Sequence, residues 1–286
     1  DGEDGLGEDA GDGGLVDATA EMSRSQSLAG IETTIQNSDR QIVELTNQKT
    51  ERNMTEAIRQ QIIAIYTSEL TKELDQLTAE YNETKIGVAE RKLQAGTGTE
   101  LEVLTAQKTA KDAEAALQAA TADATKARQT VLVNLGWNYD ATPQICAVPE
   151  VTDAMIAAID LAQDTQTALQ NNYQLRIDQR KLALAESDGT KNTTQITVTN
   201  DENQVQSNMT ARYNAVLSAQ NELRKAELNL QNQQTTLGRV TRSYAAGAAS
   251  ARDLEDAQYS ASAAEYTVKL DRYALQSAYF SYLAGR

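Results

Sequence analysis

The residue types that carry most enzyme chemistry are nearly absent from this 286-residue chain, which has no histidine and one cysteine, Cys146. Without imidazole the usual acid/base group near neutral pH is missing, and one thiol supports neither an internal disulfide framework nor a cysteine metal cluster. As an isolated thiol, Cys146 is expected to be a small buried apolar residue rather than an intermolecular bridge. Carboxylates remain, 41 Asp and Glu together, but general acid/base work needs a pocket that shifts their pKa values. Nothing in the spacing marks such a pocket, so most of them read as a solvated helix face. The run DGEDGLGEDAGDGG at residues 1–14 alternates acid and glycine as calcium loops do. It lacks the D-x-[DN]-x-[DN]-G run and the distal Glu of such a loop, and reads as an acidic tail that is disordered or docked on a partner. The N-x-T sequons at Asn53, Asn82, Asn192 and Asn208 are what a chain rich in Asn and Thr yields by chance. No catalytic, cofactor-binding or metal-ligating set emerges, so the chain is read as non-enzymatic and cofactor-free.

The remaining residues point to long helices. The chain has only 2 Pro, 1 Phe and 1 Trp, while Ala, Gln, Thr, Leu, Glu and Lys dominate. That profile favours helix and is poor in material for a thick core. A net charge of −15 argues against nucleic acid or an anionic membrane surface as partner. No stretch approaches the roughly 20 apolar residues of a membrane-spanning helix. A chain beginning at Asp1 reads as a processed exported protein or a trimmed one.

Apolar residues recur in steps of three and four from about Leu15 to Leu135. Leu70, Leu74, Leu77, Tyr81 and Val88 keep this spacing on an ascending arm. Ala106, Ala110, Ala113, Leu117, Ala120, Ala124, Ala127 and Val131 keep it on a descending arm, after an interruption near Gly96. Gly136 closes the unit, and Pro143 and Pro149 fall in a linker at 137–151. A second unit at 152–286 opens at Thr152 and Asp153 and turns at Gly247. Its ascending arm carries Leu223, Ala226, Leu230, Leu237, Val240 and Tyr244, with Gln233 breaking the series. The descending arm carries Ala257, Ala261, Ala264, Val268, Asp271, Leu275, Ala278 and Tyr282, the first stripe repeated at a constant offset of 151 residues. RKLQAGTGTELEVLTAQ (91–107) and RSYAAGAASARDLEDAQ (242–258) align at the same offset. The chain therefore reads as an internal duplication: a tail at 1–14, a hairpin at 15–136, a linker at 137–151 and a second hairpin at 152–286.

Within the repeated turn, Gly96 and Gly247 are placed to take the left-handed conformation that ends a helix. Thr99 and Ser250 can cap the next helix, with Glu102 and Asp253 at the capping-box position. Arg91 and Arg242 suit the negative end of the incoming helix dipole. A pattern of R-x-x-x-A-G, a hydroxyl residue, an acid and Ala-Gln, occurring twice at the ends of long helix pairs, resembles the TolC-like outer-membrane efflux family. QTALQNNYQLRIDQRKLALAES (166–187) is similar to its second-repeat opening helix and LVNLG (132–136) to its first-repeat close. The likeness covers roughly residues 30–286.

The resemblance implies an all-α, elongated fold of two tandem antiparallel coiled-coil hairpins. It also implies a trimer forming a hollow helical tube, with the tips (Arg91, Gly96, Thr99, Glu102, Arg242, Gly247, Ser250, Asp253) facing a periplasmic adaptor or inner-membrane pump. The family's aperture positions match Glu102, Tyr244, Asp253 and Asp256. The arginine that one member places two residues after the second-repeat glycine is Ala249 here. Family members in the outer membrane interrupt each repeat with strands of about 9 to 11 residues. Here only Asp188 to Asn203 breaks the helical pattern, so a loop, or at most a short ribbon near 194–199, is expected and no barrel. Two readings follow: an exported conduit or scaffold of an efflux or secretion assembly in the periplasm or cell envelope, or the subunit of an open filament at the extracellular surface.

Overall fold

The computed structural model describes residues 12–286, with side chains from Arg24 onward apart from Ser25. Most of the acidic tail, residues 1–11, lies outside the described residues, and its last three positions begin a helix. Eight helices follow in order: α1 (Asp12–Ser38), α2 (Arg40–Gln94), α3 (Glu100–Asn134), α4 (Asp153–Ala157), α5 (Leu161–Asn171), α6 (Tyr173–Leu184), α7 (Asp188–Ala245) and α8 (Ala251–Gly285). Among the described residues there is no β-strand, and no helix is long and apolar enough to cross a membrane.

The expected break near 194–199 is instead the first part of α7. The β-branched run TQITVTN suits a ribbon by composition, but the buried positions decide otherwise. Val198, Val205, Met209 and Val216 are all buried, a helical rather than a two-residue period. Ile196, two residues from Val198, is exposed, whereas a strand would place both on one face. The threonines are accommodated by back-bonding: Thr193, Thr197 and Thr199 hydroxyls donate to Gly189, Thr193 and Gln195 carbonyls at 3.0, 3.1 and 3.0 Å. The same device recurs along the threonine-rich helices and satisfies the hydroxyl without leaving the helix. The opening of the second half is more broken than one helix. Asn172 stops α5 and caps α6, its Oδ1 accepting from Leu175 N at 3.0 Å. Thr152 caps the short α4 in the same way, at 3.3 Å from Met155 N.

The chain forms two compact units. The first takes the described residues up to Asn53, then Ala162–Met209 and Arg286. Its apolar centre is Ile42, Leu45 and Ile177, with Tyr173 and Leu184 against them. Polar contacts bind its helices: Arg180 pairs with Asp39 at 2.8 Å, and Glu32, 6% exposed, accepts from Ser187 N at 2.6 Å and Thr190 Oγ1 at 2.5 Å. Glu32 thus sits at the start of α7, where free N–H groups and the helix dipole favour a carboxylate. These bonds, led by Thr190, hold its pKa down at about 2.

The second unit, Met54–Leu161 and Thr210–Gly285, contains both glycine turns, α3, α8 and the later parts of α2 and α7. On α3 the buried residues Ala110, Ala113, Ala120, Ala124 and Val131 belong to the predicted alanine stripe, and Leu132 is buried beside it. On α8, Ala257, Ala261, Ala264, Val268, Leu275 and Tyr282 are buried, again as the heptads require. Small seam residues let the helix axes approach closely. The linker lies beside α2, whose Tyr66 hydroxyl donates to the Ile145 and Cys146 carbonyls at 3.1 and 3.0 Å. Cys146 itself is exposed, contrary to expectation: these bonds turn its backbone carbonyl toward α2, and its side chain is left on the solvent side.

Candidate functional site

The two tips are built alike. At the end of α2, Gly96 takes φ 71°; Gly96 N donates to Leu93 O at 3.0 Å and Thr97 N to Lys92 O at 2.9 Å. At the end of α7, Gly247 takes φ 74°, with Gly247 N to Tyr244 O at 2.9 Å and Ala248 N to Ser243 O at 2.8 Å. Both are Schellman closures, which need a left-handed residue that only glycine adopts without strain.

The outgoing helices are capped reciprocally. Thr99 N donates to Glu102 Oε2 at 2.7 Å while Glu102 N donates to Thr99 Oγ1 at 3.3 Å. Ser250 N donates to Asp253 Oδ2 at 2.8 Å while Asp253 N donates to Ser250 Oγ at 3.1 Å. The shorter Asp closes the box because Ser250 approaches it, and the Ser250 backbone and hydroxyl hold the Asp253 pKa below its ordinary value. Glu102 and Asp253 are therefore engaged locally as caps. Arg91 and Arg242 are exposed, and each guanidinium reaches back over a glycine one turn earlier: a β-carbon on Gly87 or Gly238 would lie 3.4 or 4.0 Å from it. The arginines thus lie along the helix flank rather than over the terminal carbonyls.

Tyr244 is exposed on the last turn of α7. Asp256 lies elsewhere, in a network between α8 and α2. Its Oδ1 accepts from the Tyr81 hydroxyl at 3.0 Å and pairs with Arg252 Nε at 2.7 Å. Arg252 also donates to Thr84 at 3.1 Å and lies 4.9 Å from the Tyr81 ring centre. Tyr81 stacks on Tyr259 with ring centres 3.8 Å apart and planes within 4°. Burial, reinforced by Asp256, pushes the Tyr81 pKa up. Arg252 is thus committed within its own chain.

These contacts belong to a second stripe on α8 that the alanine pattern hides. Tyr259, Tyr266, Tyr273 and Phe280 stand seven apart. Tyr259 meets Tyr81 and Thr78, Tyr273 stacks on Tyr66 at 5.5 Å, and Phe280 lies under Arg59. Ser277 and Gln60 exchange hydrogen bonds of 2.5 and 3.2 Å on the same seam. The partners descend α2 as α8 ascends, so the two helices are antiparallel. The opposite side of α8 faces α7, where Tyr282 meets Tyr213 and Arg212 donates to the Ser281 carbonyl. The equivalents of the aromatic stripe on α3 are Lys108, Ala115, Ala122 and Gln129, none of them buried, and apart from Leu132 the buried residues of α3 lie on its alanine seam. Beside α3, an open groove of about 1060 Å³ runs against α2, lined by Ala79, Glu83, Ile86, Leu104, Ala110 and Lys111.

The fold of these long helix pairs is shared by solved structures. It is the helical-hairpin fold of TolC-like outer-membrane channels. The outer-membrane channel OprN matches over 86% of this chain and 69% of its own, with a TM-score of 0.65 and 15% identity. The Campylobacter jejuni CmeC outer membrane channel matches over 86% and 64%, at 0.57 and 11%. The outer membrane protein VceC of Vibrio cholerae matches over 90% and 75%, at 0.53 and 14%. No family model and no curated protein matches the sequence. These structural neighbours are channels and membrane proteins, not enzymes. Among the described residues, no group of His, Cys, Asp and Glu is arranged to hold a metal ion.

Proposed function

We propose that the chain is a TolC-like helical component of an efflux or secretion assembly in the cell envelope, working as a homo-oligomer without a barrel of its own. The observation that carries this reading is the unequal burial of the hairpin helices on a fold shared with outer-membrane channels. α2 and α8 pack on two sides, whereas α3 and α7 bury one main stripe each, with Leu132 added near the end of α3. Exposed apolar residues remain on these edge helices: Leu101 at 72% and Leu104 on α3, Leu228 at 63% and Tyr244 on α7.

The 151-residue offset supports an occupant for these edges. If the hairpins are duplicates, the pairing of α2 with α8 has a counterpart between α7 of one copy and α3 of the next. Such a head-to-tail contact either closes into a ring or propagates as an open polymer. A closed trimer accords with the conduit, and the open polymer is the filament alternative. The fold neighbours favour the conduit and a periplasmic or envelope location over an extracellular surface. The tips, with Arg91, Gly96, Thr99, Glu102, Arg242, Gly247, Ser250 and Asp253, are the proposed docking end for an adaptor or inner-membrane pump, and Tyr244 and Asp256 complete the proposed aperture with Glu102 and Asp253.

Lys126 and Ala211 are the offset equivalents of the bonded Ser277 and Gln60. In a Cys146→Ser background, Lys126→Cys with Ala211→Cys should cross-link between copies with a short thiol reagent. A single trimeric band supports the closed conduit, a ladder supports the filament, and a band that stays monomeric sinks both.

A further inference from the structure

Along the outer edge of α3, bulky side chains gather at the end far from the tip. The α3 positions that match the rings of α8 are Lys108, Ala115, Ala122 and Gln129, yet at and just past the end of the helix Val133, Trp137 and Tyr139 are exposed, the two rings at 50% and 64%. A fixed backbone holds them out. Gly136 takes φ 75°, Gly136 N donates to Val133 O and Trp137 N to Leu132 O, both at 2.9 Å, and Ala141 N donates to Asn138 O at 3.0 Å. Arg128 Nη2 ties the linker back to α3 through the Pro143 carbonyl at 3.0 Å. Rings presented by an ordered backbone lose little freedom on contact. Beside Tyr139 lies an open recess of about 300 Å³, lined by Lys126, Gln129, Thr130, Val133 and Asn134.

The 151-residue offset points to an occupant. Lys126, Gln129 and Thr130 correspond to Ser277, Phe280 and Ser281 of α8. Within the chain those α8 positions are met by Gln60 and Arg59 of α2 and by Arg212 of α7. The offset equivalents of Arg59 and Gln60 are Thr210 and Ala211 of α7. From Ala211 onward α7 exposes Ala211, Asn214, Ala215 and Ser218, spaced by three and four so that they share one side of the helix. This side is shallow, with no side chain larger than that of Asn.

We infer that Trp137 and Tyr139, with Val133, are the anchor of the contact between copies, seated on the small-residue side of α7 at Ala211–Ser218 in a second copy of this chain. The inference rests on the homo-oligomer reading above and adds which residues fasten it. Large rings on one side meet short side chains on the other, so the surfaces complement each other in size. Neither surface carries a formal charge, in a chain where 23% of residues do, and interface cores are poor in charge and rich in Trp and Tyr. Elsewhere the α3 edge presents the exposed ion pairs of Lys108 with Asp112 and Lys111 with Glu114, which contribute little. The attraction is therefore concentrated at the linker end.

Trp137 is the one tryptophan of the chain, so its fluorescence reads the anchor in the unaltered protein. As concentration is raised and light scattering follows the mass, its emission should move to shorter wavelength and acrylamide quenching should fall in step with assembly. Tyr139→Ala and, on the opposite surface, Ala215→Glu should each raise the concentration for half-assembly by about tenfold or more, as removal of an interface anchor does, with the helical signal unchanged. Assembled protein whose Trp137 stays open to the quencher, or variants that assemble like the wild type, would overturn the anchor and leave the homo-oligomer standing. A wild type that stays monomeric at every concentration overturns the homo-oligomer and the anchor together.

Discussion

At the scale of single residues, the tips depend on backbone conformation more than on side-chain contact. A β-carbon on Gly96 or Gly247 would meet nothing within 4 Å, so alanine there costs only the left-handed strain. Gly96→Ala and Gly247→Ala should each destabilise by about 1 kcal/mol, read as a drop in thermal midpoint with helix content retained. Gly98 differs, because its β-carbon would lie 2.8 Å from Lys92 Cβ and 3.1 Å from Leu93 N. Gly98→Ala should therefore cost more than Gly96→Ala, although the second tip carries Ala249 at the equivalent place. Midpoints in the reverse order would show that the first turn relaxes. Glu32 carries a pH prediction of its own. Its pKa is lowered from 4.5 to about 2, so its stabilisation is present above 4.5 and fades as pH falls through about 2. Glu32→Gln should lower the midpoint near neutral pH and flatten the acid limb of unfolding. An acid limb unchanged in Glu32→Gln would remove Glu32 from the cause.

At the scale of elements, the legible signal was the alanine heptad, and the hidden one was what lies beside it. The stripe from Ala106 to Val131 and its echo from Ala257 to Tyr282 were readable because helix seams select small residues at fixed spacing. The aromatic heptad on α8 was equally present in the sequence, but it marks a second neighbour, and nothing local identifies that neighbour as α2. Tyr259→Ala should cost about 2 kcal/mol through lost stacking and packing on Tyr81. Lys108→Ala, its counterpart on exposed α3, should stay within about 0.5 kcal/mol. Comparable losses from urea melts of the two variants would contradict the assignment of α8 as inner and α3 as edge. Gly87 and Gly238 stand 151 apart inside α2 and α7, each four residues before an arginine. Both lie in helical backbone with room for a methyl group, so Gly238→Ala should stabilise by about 0.5 to 1 kcal/mol, and a lowered midpoint would reveal a need for the bare backbone.

At the scale of the whole molecule, the proposed contact between copies lacks the aromatic stripe that fastens α2 to α8 within one chain. Its α3 side carries Lys108 with Asp112 and Lys111 with Glu114 as exposed ion pairs. Such pairs contribute little to stability and are screened by salt. Dilution should therefore dissociate the assembly before the chain unfolds, visible as a falling light-scattering mass at constant helical signal. Mass and helix lost together at every concentration would mean that the copies are joined more intimately than these edges allow.

By itself the sequence determined the hairpin arms, both glycine turns, their caps and the alanine seams, because each is set by residues within a turn or two of one another. It misplaced the stretch at 194–199 as a loop or short ribbon, since β-branched residues suit a non-helical state and only the buried stripe continuing to Val216 holds them in a helix. Only the tertiary structure decided which helix has two neighbours and why Asp256 meets Tyr81 rather than solvent. Those facts depend on residues more than a hundred positions apart, or on separate helices, whose meeting is fixed by the antiparallel register and by no local pattern.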